Sequence, residues 1–293
     1  MANITVTIVL SLKNTPLGWL TGWTYERLNV FHRFVGYLAL GLTAVHGATY
    51  SAHFLHDGEA AFLRAPKEIY GIVAGFCFLT LVSAGVFLRR RRYELFYVIH
   101  VVFFILAMVF VALHQPETGK SIIYITVGGA GVWVLDRLVR AGRVLVYSVN
   151  NTASLYPLPG GGTRIVLRKA PVGARAGEHC FVWIPRIRML ETHPFTIVST
   201  EPLEFVVAAQ DGFTRELHDY AERHPGASLR ASVEGSYGTR ADVARYDAVV
   251  MIAGGSGASY TFAHVLEMCR RDEIASCPKI MFTWIVRDYG AFP

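Results

Sequence analysis

Apolar residues fill four long stretches in the first half of the chain, and each stretch is almost free of charge. The first three are Phe34–Leu55, uncharged apart from its histidines, Ile69–Phe87, and Leu95–Leu113 with its histidine neutral. Each is long enough to cross a bilayer as a helix. Ser121–Leu135 is shorter and reaches spanning length if the two charged residues that follow it lie at the headgroups. The pattern therefore predicts four transmembrane helices. Met1–Leu12 is uncharged but too short to span, and it is typical of the end of a further helix.

Short apolar runs, broken by Gly, Pro and charge, replace the long stretches beyond about residue 143. They predict an all-β region over Arg143–Gly238, with the glycines at 160–162 marking a tight connection. The predicted strands are Val144–Val149, Thr163–Leu167, Cys180–Ile184 and Leu203–Ala208. A barrel fits a region of this size.

The C-terminal part has an α/β pattern. Asp247–Ala253 predicts a strand, Ser259–Cys269 a helix and Lys279–Val286 a second strand. Between the first strand and the helix lies Gly254-Gly255-Ser256-Gly257, whose glycines let a backbone approach a pyrophosphate at a helix N-terminus. A plain tight connection explains such a turn equally well.

Together the patterns predict a multi-domain membrane protein. A transmembrane α-helical bundle is followed by an antiparallel β-barrel and then by a partial α/β nucleotide-binding domain. The predicted boundaries are 1–22 for the remnant of a preceding helix and its cytoplasmic connection, 23–142 for the bundle, 143–240 for the barrel and 241–293 for the α/β part.

Composition and charge support membrane insertion. Hydrophobic residues make up 53% of the chain and charged residues 17%, which is too apolar for an ordinary soluble domain. The net charge of +6 comes from basic residues at helix ends, so the expected partner is membrane lipid and not nucleic acid. Arginines 89–92 follow the second span, and Arg137, Arg140 and Arg143 follow the fourth. The positive-inside rule places both clusters, and the region beyond them, in the cytoplasm.

Two histidine pairs share one spacing: His32 and His46, then His100 and His114, are each fourteen residues apart. Fourteen residues rise about 21 Å on a helix and return to within about 40° of the same face. A single histidine in an apolar helix is more often structural, but two matched pairs on two parallel helices favour haem ligation. By depth, His32 and His100 would bind an inner haem, and His46 and His114 an outer one.

Weaker signals lie elsewhere. His53 and His56, in the predicted outward loop Tyr50–Pro66, suit a metal ion passing the outer haem, but ordinary surface polarity is favoured. The four cysteines form no CxxC pair and are predicted to be packing thiols. Within the barrel region, His193–Ser199 combines a proline, an aromatic ring and hydroxyls, which suits a heterocycle but is a weak signal alone.

Taken in order, these residues resemble the ferric reductase and NADPH oxidase superfamily, and the fungal metalloreductases most closely. The resemblance runs from about Leu12 to the C-terminus and includes both histidine pairs. Its other motifs are Asn14-Thr15-Pro16-Leu17, Tyr25-Glu26-Arg27-Leu28-Asn29, His193-Pro194-Phe195-Thr196, Gly212-Phe213-Thr214, Gly254-Gly255-Ser256-Gly257 and Trp284-Ile285-Val286-Arg287.

The resemblance implies cofactors, site residues and a direction of electron flow. It implies two haem b groups on the four histidines, and NADPH at Gly254, Gly255, Ser256 and Gly257. It implies FAD on His193, Pro194, Phe195, Thr196, Ser199, Phe213 and Thr214. NADPH then gives a hydride to FAD in the cytoplasm, and electrons pass singly through the haems, with no side chain acting as acid or base. The implied acceptor is chelated Fe(III), or Cu(II), outside the plasma membrane.

The chain also departs from the family pattern. Ser236 stands where the family usually has proline, little precedes the first haem helix, and the nicotinamide domain stops after about two strands, before the family's cysteine-containing motif. These departures predict a fragment or an incomplete gene model. Two alternatives stay open: a superoxide-forming NADPH oxidase, and a truncated haem protein without NADPH activity.

Overall fold

The computed structural model describes residues 1–115, 121–270 and 279–286. The chain divides into two compact units, residues 1–137 and 138–293. The first unit is helical. Its helices are α1 (Ala2–Ser11), α2 (Pro16–Thr21), α3 (Tyr25–His56), α4 (Pro66–Phe87), α5 (Tyr93–Leu113) and α6 (Ser121–Ser148), the last of which continues into the second unit. A short 3-10 helix, Ala60–Arg64, lies between α3 and α4.

Four of these helices, α3 to α6, are long and apolar enough to cross a membrane, as the sequence pattern predicts. Their large side chains face outward, with Phe34, Phe76 and Phe87 each more than 60% exposed, where a bilayer would cover them. The protein is an integral membrane protein. The predicted loop Tyr50–Pro66 is wrong in its first part, because α3 continues through His56 before the chain turns.

The N-terminal segment forms two helices. Ile8, Leu10 and Leu12 are buried, so α1 contributes packing surface to the bundle. The side chain of Thr15 accepts a hydrogen bond from the backbone N–H of Leu17 at the start of α2. Asn14 donates two hydrogen bonds to buried Asp136 of α6, at 3.0 and 2.9 Å.

The second unit begins with a β-barrel. Its strands are β1 (Thr152–Leu158), β2 (Gly162–Leu167), β3 (His179–Trp183), β4 (His193–Thr196), β5 (Ser199–Thr200), β6 (Leu203–Ala208), β7 (Ser228–Arg230) and β8 (Ser232–Tyr237). They pair antiparallel in the orders β5-β6-β2-β1-β7 and β4-β3-β8. Alternate residues point inward, such as Ile165, Val182 and Phe205, all fully buried, and both sheets share one core.

Three of the four predicted barrel strands are present, and one is wrong. Val144–Val149 has the branched side chains of a strand, but it forms the last turns of α6 and the turn that follows. The helix ends where Asn150 adopts a positive φ of 52° and Asn151 donates to the carbonyl of Tyr147 at 3.0 Å. Five further strands, β1, β4, β5, β7 and β8, were not predicted.

The region is also not purely β, since α7 (Phe213–Arg223) lies within it. Phe213, Leu217 and Ala221 recur every four residues, and all three are buried in the barrel core. Four-residue apolar spacing is the signal that identifies this helix in the sequence. Burial of this apolar face in the barrel core stabilises a helix between β6 and β7.

A buried ion pair joins the end of α6 to the barrel. Arg140 donates to both carboxylate oxygens of Glu234, at 2.6 and 3.0 Å, and Glu234 is only 2% exposed. The hydroxyl of Tyr237 donates to the same carboxylate at 2.6 Å. Burial and this hydrogen bond raise the pKa of Tyr237. The cluster of Arg140, Glu234 and Tyr237 therefore stabilises the junction between the barrel and the end of α6.

The C-terminal part pairs β9 (Ala248–Gly254) with β10 (Lys279–Ile285) in parallel, connected through α8 (Ala258–Arg270). The predicted strand, helix and strand are all present, within a residue at each described boundary. The structure thus has the predicted fold class: a transmembrane helical bundle, an antiparallel β-barrel and a partial α/β domain. Arg287, the last residue of the predicted nucleotide-binding motifs, and Cys277, one of the four cysteines, lie outside the described residues.

Candidate functional site

The structure brings the four transmembrane histidines together in two pairs. His32 and His46 lie on α3, His100 lies on α5, and His114 is the C-cap residue directly after α5. The ring centroids of His32 and His100 are 6.2 Å apart, with 65° between the ring planes. His46 and His114 repeat this arrangement at 6.2 Å and 66°. The fourteen-residue spacing therefore produces two equivalent sites on one helix pair.

The separation fits a metal held between two imidazoles. Two metal–nitrogen bonds of about 2 Å each, continued to the ring centres, span about 6 Å. In the described part of the chain, no cluster of three or more His, Cys, Asp or Glu side chains is placed to hold a metal ion. A pair of imidazoles alone completes the coordination of an iron whose other four ligands belong to a macrocycle. The donor set thus suits haem better than a bare ion.

Backbone carbonyls orient three of the four rings. Nδ1 of His32 donates to the carbonyl of Thr7 on α1 at 2.8 Å. Nδ1 of His100 donates to Leu81 at 3.3 Å and Nδ1 of His114 donates to Lys67 at 2.8 Å, both on α4. A carbonyl only accepts, so each Nδ1 carries the proton and Nε2 keeps the lone pair that binds metal.

These carbonyl contacts are functional features that the sequence analysis missed. Every residue has a carbonyl, so the sequence gives no signal for the ones that meet a histidine. Gly71 gives a signal in retrospect, because it is a glycine inside a transmembrane helix. A Cβ placed on it would lie 2.6–2.8 Å from the ring of His114.

His53 and His56 lie apart from the two pairs, in the last turn of α3. Both rings meet the Asp57 carboxylate through Nδ1, at 3.3 and 3.0 Å respectively. Both side chains are mostly exposed. His53 and His56 thus form a polar end to α3. Among the residues that the structure describes, neither contacts the ring of His46, whose centroid lies 4.9 Å from that of Tyr50.

In the barrel, the His193–Thr196 segment forms β4, at the edge of the three-stranded sheet. The ring of His193 stacks on Phe213 at 4.3 Å and 15°, and Phe195 stacks on the same ring at 6.2 Å and 25°. Nε2 of His193 also lies 3.0 Å from a carboxylate oxygen of Glu191. His193 and Phe195 are half-buried and Phe213 is buried, so β4 offers aromatic surface backed by α7.

The other predicted residues of this group lie around the same two elements. Thr196 ends β4, and Ser199, only 7% exposed, lies on β5. Pro194 is exposed on β4. Thr214 lies in the first turn of α7, where its hydroxyl accepts from the N–H of Gln210 at 2.9 Å. The residues predicted to hold one cofactor are therefore neighbours in the fold.

Arg188 is a charged residue of this region that the sequence analysis missed. Its guanidinium donates to Glu191 at 2.8 Å and to Glu216 in the first turn of α7 at 2.8 Å. The hydrogen bond from Arg188 lowers the pKa of the Glu216 carboxyl, and the two carboxylates raise the pKa of Arg188. A Cβ placed on Gly212, which precedes α7 with φ of +68°, would lie 3.6 Å from the guanidinium. The two carboxylates therefore fix the positively charged guanidinium of Arg188 beside the start of α7.

The glycine turn is open to solvent. All four residues from Gly254 to Gly257 are exposed, and a Cβ added at any of its three glycines would meet nothing within 4 Å. Gly255 has φ of +50°, a conformation that favours glycine. Nε1 of Trp284 on β10 donates to the Gly255 carbonyl at 2.9 Å. The turn thus has space for a phosphate group at the start of α8.

Comparison with known families accounts for most of the chain. Residues 1–111 match the ferric reductase like transmembrane component, residues 148–241 match an FAD-binding domain, and residues 246–293 match the ferric reductase NAD binding domain. The three matches follow one another in the order that the sequence resemblance predicts.

Curated relatives match nearly the whole chain. Ferric/cupric reductase transmembrane component 1 of Candida albicans is 28% identical over 98% of this chain and 38% of its own length. Ferric reductase transmembrane component 4 of Saccharomyces cerevisiae is 27% identical over 91% of this chain and 38% of its own. Ferric reduction oxidase 2 of Arabidopsis thaliana is 27% identical over 88% and 37%. The chain thus spans about two fifths of the length of these relatives.

Proposed function

Three consecutive domain matches place this chain in the ferric reductase superfamily, and from that premise we propose that it moves electrons across a membrane. The proposed donor is cytoplasmic NADPH, and the proposed acceptor is a ferric or cupric chelate on the far face of the plasma membrane. The observation that carries the proposal is that the four histidines face one another in two pairs, with 6.2 Å between the ring centroids within each pair. Relatives named ferric or ferric/cupric reductases support the acceptor.

The residues divide into three groups by what they would hold. His32 with His100 and His46 with His114 would each hold a haem. The segments at β4, β5 and the start of α7 would hold FAD, and Gly254–Gly257 would hold the NADPH pyrophosphate. When bound, these groups supply hydride acceptance from NADPH and one-electron transfer through iron.

The chain itself would orient the imidazole rings and exclude water from the sites that they form. Hydrogen bonds from Nδ1 to the carbonyls of Thr7, Leu81 and Lys67 fix three imidazoles with Nε2 available. The apolar helices α3 to α6 surround these sites with hydrocarbon side chains, which keep bulk water away from them. At β4, the aromatic surface of His193 and Phe195 suits a flat ring system, and no side chain is required as an acid or base.

A difference spectrum of membranes carrying the full chain tests the proposal. NADPH, NADH and dithionite are added separately, with and without ferric chelate, and haem per chain is measured. We expect two low-spin haems, reduced by NADPH faster than by NADH and reoxidised by ferric chelate. The matched variants His46→Ala and His114→Ala should each lose one haem and the reduction of chelate.

The alternatives predict different results from the same membranes. Superoxide formed in step with NADPH use, without added iron, would identify a superoxide-forming oxidase. Haem reduced only by dithionite would identify a haem protein without NADPH activity. Absence of haem from the wild-type chain would overturn the assignment of the four histidines.

A further inference from the structure

Helix α4 repeats the spacing of the histidines that it contacts. Its two accepting carbonyls, Lys67 and Leu81, are fourteen residues apart, as are His114 and His100. The later histidine meets the earlier carbonyl, so α4 and α5 run antiparallel. The backbone of α4 therefore faces both histidine sites of α5 at matching depths, although α4 carries none of the four histidines.

A helix carbonyl is normally hidden beneath the side chain one turn further on. The carbonyl of Lys67 accepts the helical hydrogen bond from the N–H four residues later, which belongs to Gly71. A second donor reaches the other lone pair only if space is left beside the helix. The 2.8 Å contact from His114 occupies that space.

The missing side chain of Gly71 creates the space. A Cβ at this position would lie 2.6 Å from Cε1, 2.7 Å from Nδ1 and 2.8 Å from Nε2 of His114. These distances are far inside van der Waals contact, so any other residue would displace the imidazole. Gly85, fourteen residues further along α4, differs: its added Cβ would come no closer than 3.9 Å, to Phe96.

We propose that Gly71 is a positioning residue for the His46–His114 pair. By lacking a side chain, it lets the His114 imidazole lie against α4, donate to the Lys67 carbonyl and keep Nε2 available opposite His46. The inference rests on the proposed haem function and deepens it. It assigns to α4 a role in setting the tautomer and orientation of the His114 imidazole, which would hold the haem.

The test compares Gly71→Ala with Gly85→Ala, the same chemical change on the same helix. Haem per chain is measured by pyridine haemochrome, and the two low-spin haems are followed by EPR and by redox titration of the full chain in membranes. We expect Gly85→Ala to match wild type. We expect Gly71→Ala to lose or shift the signal of one haem, bringing haem content from two toward one, while the other haem keeps its g-values and potential.

A second background keeps the test decisive if Gly71→Ala accumulates poorly. His114→Gly removes the ring that the new methyl group would strike. Adding Gly71→Ala to His114→Gly should therefore change neither accumulation nor the signal of the remaining haem, whereas the single Gly71→Ala change alters one of them. An added loss in the double variant would show that Gly71 acts through another contact, and would overturn the proposal.

The outcomes separate the two proposals. Wild-type chain without haem overturns the proposed function and this inference with it. Two haems in wild type together with unchanged spectra and potentials in Gly71→Ala overturn only the positioning role. Equal damage to both haems also overturns it, because the contact involves only the His46–His114 site.

Discussion

Replacing Glu234 with alanine should strongly destabilise the barrel where it meets the end of α6. Glu234 is 2% exposed and accepts hydrogen bonds from Arg140 and from Tyr237. The change removes two charge-assisted hydrogen bonds and one from a phenol. It also takes the carboxylate partner away from Arg140, whose side chain is only 15% exposed. Because the guanidinium is buried, water cannot compensate for the lost carboxylate.

The size of the effect follows from burial. Removing one member of a buried ion pair costs about 3–5 kcal/mol, because the other charge stays buried. Each 1.36 kcal/mol is about tenfold in an equilibrium constant. The opening equilibrium of the region should therefore rise by a factor of roughly 100 to several thousand.

Native-state hydrogen exchange of the full chain in detergent, read by mass spectrometry, measures this local stability. Amides of β3 and β8 should exchange faster by that factor in Glu234→Ala. The matched control is Glu204→Ala. It breaks a similar two-oxygen pair with Arg164, but that arginine side chain is 45% exposed. Exposed pairs contribute about 0.2–1 kcal/mol, so exchange should rise by only a few-fold.

Two results would refute this reasoning. Equal acceleration in Glu234→Ala and Glu204→Ala would show that burial does not set the cost. No recovery in Arg140→Met/Glu234→Leu, which replaces both charges by apolar groups of similar volume, would show that the lost charge partner is not the cause.

Three further predictions concern single side chains. Burial lowers the pKa of His264 from 6.5, and within the described residues neither of its ring nitrogens has a hydrogen-bond partner. As the pH falls below about 6.5, this histidine binds a proton more readily in the unfolded chain than in the folded one, so the folded chain loses stability. His264→Phe should therefore lose less thermal stability on acidification; the same dependence of Tm on pH in wild type and variant would contradict this. Burial raises the pKa of Cys180 to about 12, so alkylation at pH 8 should label it only after denaturation, as mass spectrometry would show; labelling of the native chain would contradict burial. Trp284→Phe removes the hydrogen bond to Gly255, worth about 1 kcal/mol, so in the proposed reaction the KM for NADPH should rise about fivefold while the proposed haem content stays unchanged; an unchanged KM would separate this bond from nucleotide binding.

Local patterns were sufficient to predict most elements. Hydrophobic length predicted the four spans, and short apolar runs separated by Gly and Pro predicted β2, β3 and β6, because both patterns are properties of neighbouring residues. The same reasoning failed at Val144–Val149, where branched side chains favour a strand. There α6 continues because residues distant in sequence pack on it: the Ser232 hydroxyl donates to the Val144 carbonyl. Local preference is weak and yields to such contacts.

The sequence by itself determined the separation of the histidines along each helix. Fourteen-residue spacing gives His32 and His46 the same rise of about 21 Å as His100 and His114, whatever surrounds them. Only the tertiary structure decided how each ring is held. The carbonyls that accept from Nδ1 belong to α1 and α4, and the space that Gly71 leaves has meaning only where His114 packs against it. Spacing along a helix is fixed by the backbone, whereas a contact between helices depends on how they pack, which no local pattern encodes.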